Sequence, residues 1–123
     1  MKITVAGIGY VGLANAIMLD QSFPVTLVDV NKKKINLINK RISPIKDSMI
    51  DEFLPNVSKN FKATQNFERA YSDKDLIIIA TPTNYDVEKD SFDTSSIEST
   101  IEHILSFNNK AIILIKSTIP VGY

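Results

Sequence analysis

The sequence predicts an α/β fold in which a mainly parallel sheet is wound on both faces by helices. Three observations predict it. Short runs of Ile, Val, Leu and Ala recur at Ile3–Ala6, Val25–Val28, Leu76–Ala80 and Ala111–Ile115 without polar alternation, as strands do when both their faces are covered. Amphipathic stretches with helical spacing lie between them. The first run passes directly into glycines at positions 7, 9 and 12, and a helical pattern follows at once. Strands alternating with helices make βαβ units with right-handed crossovers, and these build an open, doubly wound sheet.

Each element has its own signal. After the first strand, Val11, Ala14, Ile17 and Met18 share one helical face. Val25–Val28 is the second strand. Asn31 is placed to cap a helix whose stripe is Ile35, Ile38 and Ile42. Ser48 reads as the cap of a short helix carrying Ile50, Phe53 and Leu54, with Pro55 near its end. Phe61–Thr64 is a weaker strand. Leu76–Ala80 is the fourth strand, stopped by Pro82. Ser95 and Glu98 stand at capping-box spacing before a stripe of Ile97, Ile101, Ile104 and Leu105. His103 falls off that stripe and is expected to face solvent. Ala111–Ile115 completes the sheet.

The 123 residues suit one domain, expected over 1–123, with enough apolar content (44%) for a core. Fourteen basic residues balance fourteen acidic ones, so no overall field draws the chain to nucleic acid or to an anionic membrane. There are no cysteines, which excludes disulfides, thiolate zinc and a cysteine nucleophile within these residues, and a lone His makes a metal site an unexpected feature. Lys2, the apolar stretch after it and Ala14-Asn15-Ala16 also resemble a secretory leader. Three regularly spaced glycines would weaken such a leader for no gain, and Val25–Asp29 completes a unit with them. The five-residue apolar runs elsewhere fall far short of the roughly 20 residues a membrane helix needs.

The glycines define the first candidate site. Gly7 permits the tight turn after the strand, Gly9 lets the backbone approach a pyrophosphate, and Gly12 lets helix and strand pack closely. The helix then points its free N–H groups and positive dipole end at the phosphates. Asp29 ends the second strand 22 positions after Gly7, where a carboxylate accepts hydrogen bonds from the adenosine ribose and repels a 2′-phosphate. Strand, glycine turn, helix and distal acid together specify a Rossmann-type dinucleotide site. Asp29 could instead cap the following helix, but Asn31 is available for that. Lys32 and Lys33 read as a solvated basic face, whereas Lys34 could reach back toward a cofactor phosphate. In a doubly wound sheet the first and fourth strands are neighbours, so Thr81, Pro82 and Thr83 line the crevice opposite Gly9. Ser117 and Thr118 follow the fifth strand, toward the nicotinamide.

Five segments carry a family resemblance: Gly7-Ile-Gly-Tyr-Val-Gly-Leu13, Asp29-Val-Asn-Lys-Lys-Lys34, Ser43-Pro-Ile-Lys-Asp47, Ala80-Thr-Pro-Thr-Asn84 and Lys116-Ser-Thr-Ile-Pro-Val-Gly122. In this order, across the whole chain, they resemble the nucleotide-sugar dehydrogenases of the UDP-glucose/GDP-mannose dehydrogenase family, most closely the members that act on UDP-glucose. The resemblance implies oxidation of a sugar C6 alcohol to a carboxylate in two hydride transfers that consume two NAD. It implies cofactor contacts from Val11, Asp29, Lys34, Thr83 and Thr118, which join Gly7, Gly9, Tyr10, Gly12, Thr81 and Pro82 in the expected cofactor site. Thr118 would also sit beside the reacting centre, positioning water or stabilising charge, as this chain's one catalytic candidate.

The same resemblance implies that a long central helix and a second domain, with the catalytic Cys, a Lys and most of the substrate site, lie outside these residues. UDP-glucose would then be bound only through that absent C-terminal domain. The intact protein would be a cytoplasmic homodimer, and these 123 residues alone would be inactive. Two alternatives stay open: a sibling acting on GDP-mannose or a UDP-N-acetylhexosamine, and a non-catalytic nucleotide-binding module.

Overall fold

The computed structural model describes residues 1–80, 84–86, 91–93 and 95–116. Five parallel strands form one sheet: β1 (Ile3–Ala6), β2 (Val25–Val28), β3 (Lys62–Thr64), β4 (Leu76–Ile79) and a last strand, Ile112–Ile115. Between β4 and that last strand lies a small antiparallel pair, β5 (Asn84–Asp86) and β6 (Ser91–Asp93), so the last strand is β7. The order across the sheet is β3-β2-β1-β4-β7, with the chain reversing direction between β1 and β4 as the doubly wound plan requires. The β5–β6 pair has no counterpart among the expected elements, because its three-residue strands carry no apolar run.

Strand alternation sorts the core into two layers. Ile3, Val5, Val25, Leu27 and Ile78 face one side, where α1 (Tyr10–Asp20), α2 (Lys32–Asn39) and α3 (Ser48–Phe53) pack on them through Leu13, Ala16, Ile35, Ile38 and Ile50. Ala6, Val28, Ile77 and Ile79 face the other, under α4 (Phe67–Tyr71) and α5 (Ser95–Phe107), which contribute Ala70, Tyr71 and Ile104. Thr4 is fully buried in the second layer, where its hydroxyl donates to the Ala70 carbonyl and ties α4 to β1. Helix α4 is too short to show a stripe, and the sequence gives no warning of it.

Several side chains depart from the expected stripes. The buried face of α1 is Gly12, Leu13, Ala16 and Ile17, whereas Val11 and Met18 are exposed. The helix is apolar on nearly every side, so periodicity could not choose its inward face. Met18 and Ala14 instead form one wall of an open groove of about 380 Å³, with Met49 and Phe53 opposite. Arg41 adopts φ 62° and ends the α2 segment, which leaves Ile42 exposed outside the helix. The cap of α3 is Asp47, whose carboxylate accepts from Ile50 N at 3.1 Å, and not Ser48. Leu54 and Pro55 form a 3₁₀ turn after it. Leu105 is exposed, while Ile101 and Ile104 turn inward. The side chains of Ser95 and Ile97 lie outside the described ones. His103 is exposed as expected, yet its ring stacks against Phe67 at 4.7 Å, Phe107 at 5.4 Å and Tyr71 at 5.6 Å.

The sheet's two edges differ. Beside β3 the Asn39 amide donates to Ala63 O at 3.0 Å and accepts from Ala63 N at 2.9 Å, pairing the strand's outer edge as a neighbouring strand would. On β7 the residues aligned with Leu76 and Ile78, Ile112 and Leu114, stay exposed on the α1 side of the sheet.

Helix α1 meets the loop after β1 with no room for a side chain at Gly12. A Cβ at Gly12 would stand 2.1 Å from the Gly7 carbonyl oxygen and 3.1 Å from the Ala80 Cβ. Backbone cannot yield there as a flexible side chain could. Gly12→Ala is therefore expected to cost about 3 kcal/mol or more, and a denaturant midpoint indistinguishable from that of the parent chain would contradict this packing.

A second stability prediction concerns alkali. Tyr71 is buried, and burial pushes its phenol up to about 12 from an ordinary 10.0. The unfolded chain ionises this phenol first, so the native state loses stability as pH rises from 10 toward 12, by about 2–3 kcal/mol. Below pH 10 the contribution is fully present. Urea titrations at pH 9 and pH 11.5 should show this extra loss in the parent chain, and a Tyr71→Phe chain should lack it.

Candidate functional site

The carboxyl ends of β1, β2 and β4 converge where the strand order reverses, and the glycine loop crosses this end of the sheet. Val28 O accepts from Gly7 N at 2.9 Å, and Ala6 O accepts from Ala80 N at 2.8 Å, so the loop leaves a point fixed on both sides. Gly7 has φ 110°, a conformation L side chains rarely adopt, which makes the turn a true glycine position. Gly9 differs in kind. Its backbone is extended, and a Cβ there would meet nothing within 4 Å. Neither the chain's conformation nor its packing asks for glycine at 9, so the empty space above it suits a group lying close on the backbone. Gly9 caps α1 without a side chain, and no acidic residue stands in that helix's first turn. The positive end of the helix and its first-turn N–H groups therefore face the crevice with no side-chain cap among the described residues. Tyr10 and Val11 are exposed there.

Between Gly7 and Gly9, the peptide groups of buried Ile8 are held by two opposite charges. Asp29 Oδ2 accepts from Ile8 N at 2.7 Å, and Lys34 Nζ donates to Ile8 O at 3.1 Å. The other Asp29 oxygen accepts from Asn31 N at 2.8 Å. Asn31 in turn caps α2, accepting from Lys34 N at 3.1 Å. Asp29 is thus not the helix cap. It turns the chain into α2 and grips the glycine loop, and each carboxylate oxygen keeps lone-pair capacity beyond the one bond it accepts. Lys32 and Lys33 are exposed, while Lys34 is half-buried and turned toward the loop. Beside them Val30 is 76% exposed, and its carbonyl accepts from Gln65 Nε2 at 2.9 Å.

The structure therefore brings Gly7, Gly9, Tyr10, Val11, Gly12, Asp29 and Lys34 to one end of the sheet. Thr81, Pro82, Thr83 and Thr118 lie outside the described residues. Sequence reasoning missed the grip on Ile8, since its partners stand 21 and 26 residues away and no local pattern links them. Among the described residues no group of three His, Cys, Asp or Glu could hold a metal ion, and no helix is long and apolar enough to cross a membrane.

Comparison with known proteins agrees with this geometry. Residues 1–123 match the UDP-glucose/GDP-mannose dehydrogenase family, NAD binding domain. The chain is 48% identical over 123 residues to a UDP-glucose 6-dehydrogenase of Streptococcus pneumoniae, covering all of this chain and 31% of that protein. A UDP-glucose 6-dehydrogenase of Campylobacter jejuni is also 48% identical, with 32% of its length covered. Among solved structures, a GDP-mannose dehydrogenase from Pseudomonas aeruginosa superposes with a TM-score of 0.89 at 29% identity, over 99% of this chain and 29% of that one. The chain spans about a third of the length of the curated relatives it matches. With a parallel sheet in the dehydrogenase order and the glycine loop at its switch point, this chain belongs to the UDP-glucose/GDP-mannose dehydrogenase family, as its NAD-binding domain.

Proposed function

We propose that this chain binds the adenosine and pyrophosphate of NAD for a dehydrogenase that oxidises the C6 alcohol of UDP-glucose to a carboxylate. The observation that carries the cofactor reading is the carboxylate of Asp29, already seated on the glycine loop through Ile8 N. NAD, when bound, supplies the hydride acceptor, and the tasks left to this chain are binding and orientation. The N–H groups at the start of α1 receive the pyrophosphate over the open backbone of Gly9, with Tyr10, Val11 and Gly12 forming the first turn beneath it. Asp29 accepts from the ribose hydroxyls. Because Ile8 N and Asn31 N fix its orientation beforehand, little ordering cost remains when the ribose arrives. Lys34 steadies the loop from the other side. The family resemblance adds Thr81, Pro82 and Thr83 as further cofactor contacts, and gives Thr118 the task of orienting water or stabilising developing charge.

UDP-glucose is favoured over GDP-mannose because two UDP-glucose 6-dehydrogenases are 48% identical to this chain, against 29% for the GDP-mannose enzyme. The sugar would be held by residues beyond these 123, in a cytoplasmic homodimer. With no cysteine here, a thiol nucleophile for the second oxidation would also come from that part. A nucleotide-binding module without chemistry would share the Asp29 and Gly9 geometry but has no use for a hydroxyl at the nicotinamide end.

Calorimetric titration tests the cofactor reading. NAD should bind more tightly than NADP by at least about tenfold, since a 2′-phosphate would displace Asp29 from the ribose and set two anions side by side. The neighbouring Lys32 and Lys33 are the opposing influence, and equal or tighter NADP binding would mean that they prevail.

Replacing the open glycine separates binding from folding. Gly9→Val should keep the parent's denaturant midpoint to within about 1 kcal/mol, because its side chain enters empty space. NAD affinity should nevertheless fall by about 100-fold or more as that space is filled. Unchanged affinity would reduce the loop to a structural turn.

A further inference from the structure

We propose that Gln65 is a positioning residue for the cofactor: through the peptide group joining Val30 to Asn31, its amide sets the carboxylate of Asp29 for the adenosine ribose. The inference rests on the nucleotide reading of Asp29 and gives a role to a side chain outside both the glycine loop and α2.

Gln65 is the first residue after β3, and the chain on either side of it is held. Thr64 stands beside Val28 in the β2–β3 ladder, and its hydroxyl accepts from Asn66 N at 3.0 Å. Asn66 caps α4 by accepting from Arg69 N at 3.1 Å. Beyond Val28 and Thr64 the ladder weakens, since the bond from Asp29 N to Thr64 O is long at 3.4 Å. The Gln65 side chain carries the connection one step further, donating from Nε2 to Val30 O at 2.9 Å. A carbonyl oxygen only accepts, so chemistry fixes which end of the Gln65 amide faces it.

Val30 O and Asn31 N belong to one planar peptide whose two poles point in opposite directions. Gln65 holds the carbonyl pole. At the N–H pole stands Asp29, whose Oδ1 accepts from Asn31 N at 2.8 Å, while Oδ2 accepts from Ile8 N at 2.7 Å. Hydrogen bonds thus run without a break from the end of β3 to the glycine loop. A bond received at the carbonyl polarises the peptide and strengthens the N–H at its other end as a donor. It also resists rotation of the peptide, which the exposed Val30 side chain does little to resist by packing. Rotation there would carry Asn31 N off Oδ1, and the carboxylate would then turn about Ile8 N. The cost of ordering it would return to the binding step. The ribose of NAD needs that alignment, whereas the 2′-phosphate of NADP makes no use of it.

Gln65→Met keeps the length of the side chain and removes the donor. In calorimetric titrations of this chain, the variant's NAD affinity should fall by about three- to tenfold, the usual scale of one lost neutral hydrogen bond. Its NADP affinity should stay within about twofold of the parent's, so that the preference for NAD narrows. Amide hydrogen exchange followed by NMR on the chain without nucleotide gives a second measure. Asn31 and Ile8 should exchange about three- to tenfold faster in Gln65→Met, with the amides of Val25–Val28 at parent rates. Unchanged NAD affinity, or unchanged exchange at Asn31, would overturn the proposal and leave the nucleotide reading standing. Equal losses for NAD and NADP would also overturn it, by reducing the bond to a structural one. A parent chain that binds no NAD would overturn the nucleotide reading and this proposal together.

Discussion

The approach of α1 to the end of β1 is the constraint on which the rest of this structure depends. Gly12 touches the Gly7 carbonyl so closely that even a methyl group would overlap the oxygen. With helix and strand this near, the connection between them needs only three residues, and the start of the helix is carried to the edge of the sheet. Once α1 is pinned, Leu13, Ala16 and Ile17 have a fixed height above β1 and β2, and the first core layer fills around them. The same proximity aims the positive end of the helix at the crevice without any capping side chain. Packing and ligand geometry are thus one requirement. A larger residue at 12 would lift the helix from the sheet and move the anion site with it.

The grip on Ile8 carries that precision from one unit to the next. Asp29 belongs to the end of β2 and Lys34 to the first turn of α2, and together they fix one residue of the β1–α1 loop. Charge-assisted hydrogen bonds of this kind are shorter and stronger than neutral ones, and here they replace the rigidity that glycine gives away. A glycine-rich loop pays a high entropic cost to order, so a fixed peptide between Gly7 and Gly9 removes much of the freedom a ligand would otherwise have to quench. The acid that this fold places on a ribose is therefore also an acid that shapes the phosphate loop.

How much of this was legible follows from where each signal is stored. Strands buried on both faces are written as unbroken apolar runs, and β1, β2, β4 and β7 were read to within a residue at each end. Gly7 declares itself because its positive φ excludes other residues, Gly12 because no Cβ fits beside the Gly7 carbonyl, and Asn31 because short polar side chains reach the helix N–H groups. Three kinds of feature stayed hidden. A helix apolar all round, as α1 nearly is, gives its inward face no unique phase, so Val11 and Met18 were assigned to the wrong side. Adjacent residues able to do the same task, such as Asp47 and Ser48, cannot be ranked by propensity alone. Contacts made by tertiary folding leave no local trace, and these include the stacking of His103 on Phe67 and the hold of Lys34 on Ile8.

The two ends of the sheet show why binding gathers at one of them. At the amino ends, side chains close the turns. Arg41 donates to Ile38 O, Ser58 O and Phe61 O, Asn108 binds Tyr71 O and Lys74 O, and Asp20 receives both the backbone N–H and the hydroxyl of Ser58. Backbone groups satisfied in this way have nothing left to offer a ligand. At the carboxyl ends Asp29 and Lys34 hold Ile8 of the glycine loop, whereas α1 begins without a side-chain cap. Unsatisfied N–H groups held on a rigid frame favour an anion over water, since the frame has already met the ordering cost. The asymmetry follows from the βαβ plan itself. Every crossover returns a helix C-terminus to the amino edge, where polar side chains can satisfy its carbonyls, and sends a helix N-terminus to the carboxyl edge, where Asn31 caps α2 while α1 starts at a glycine that offers its amides no side-chain cap.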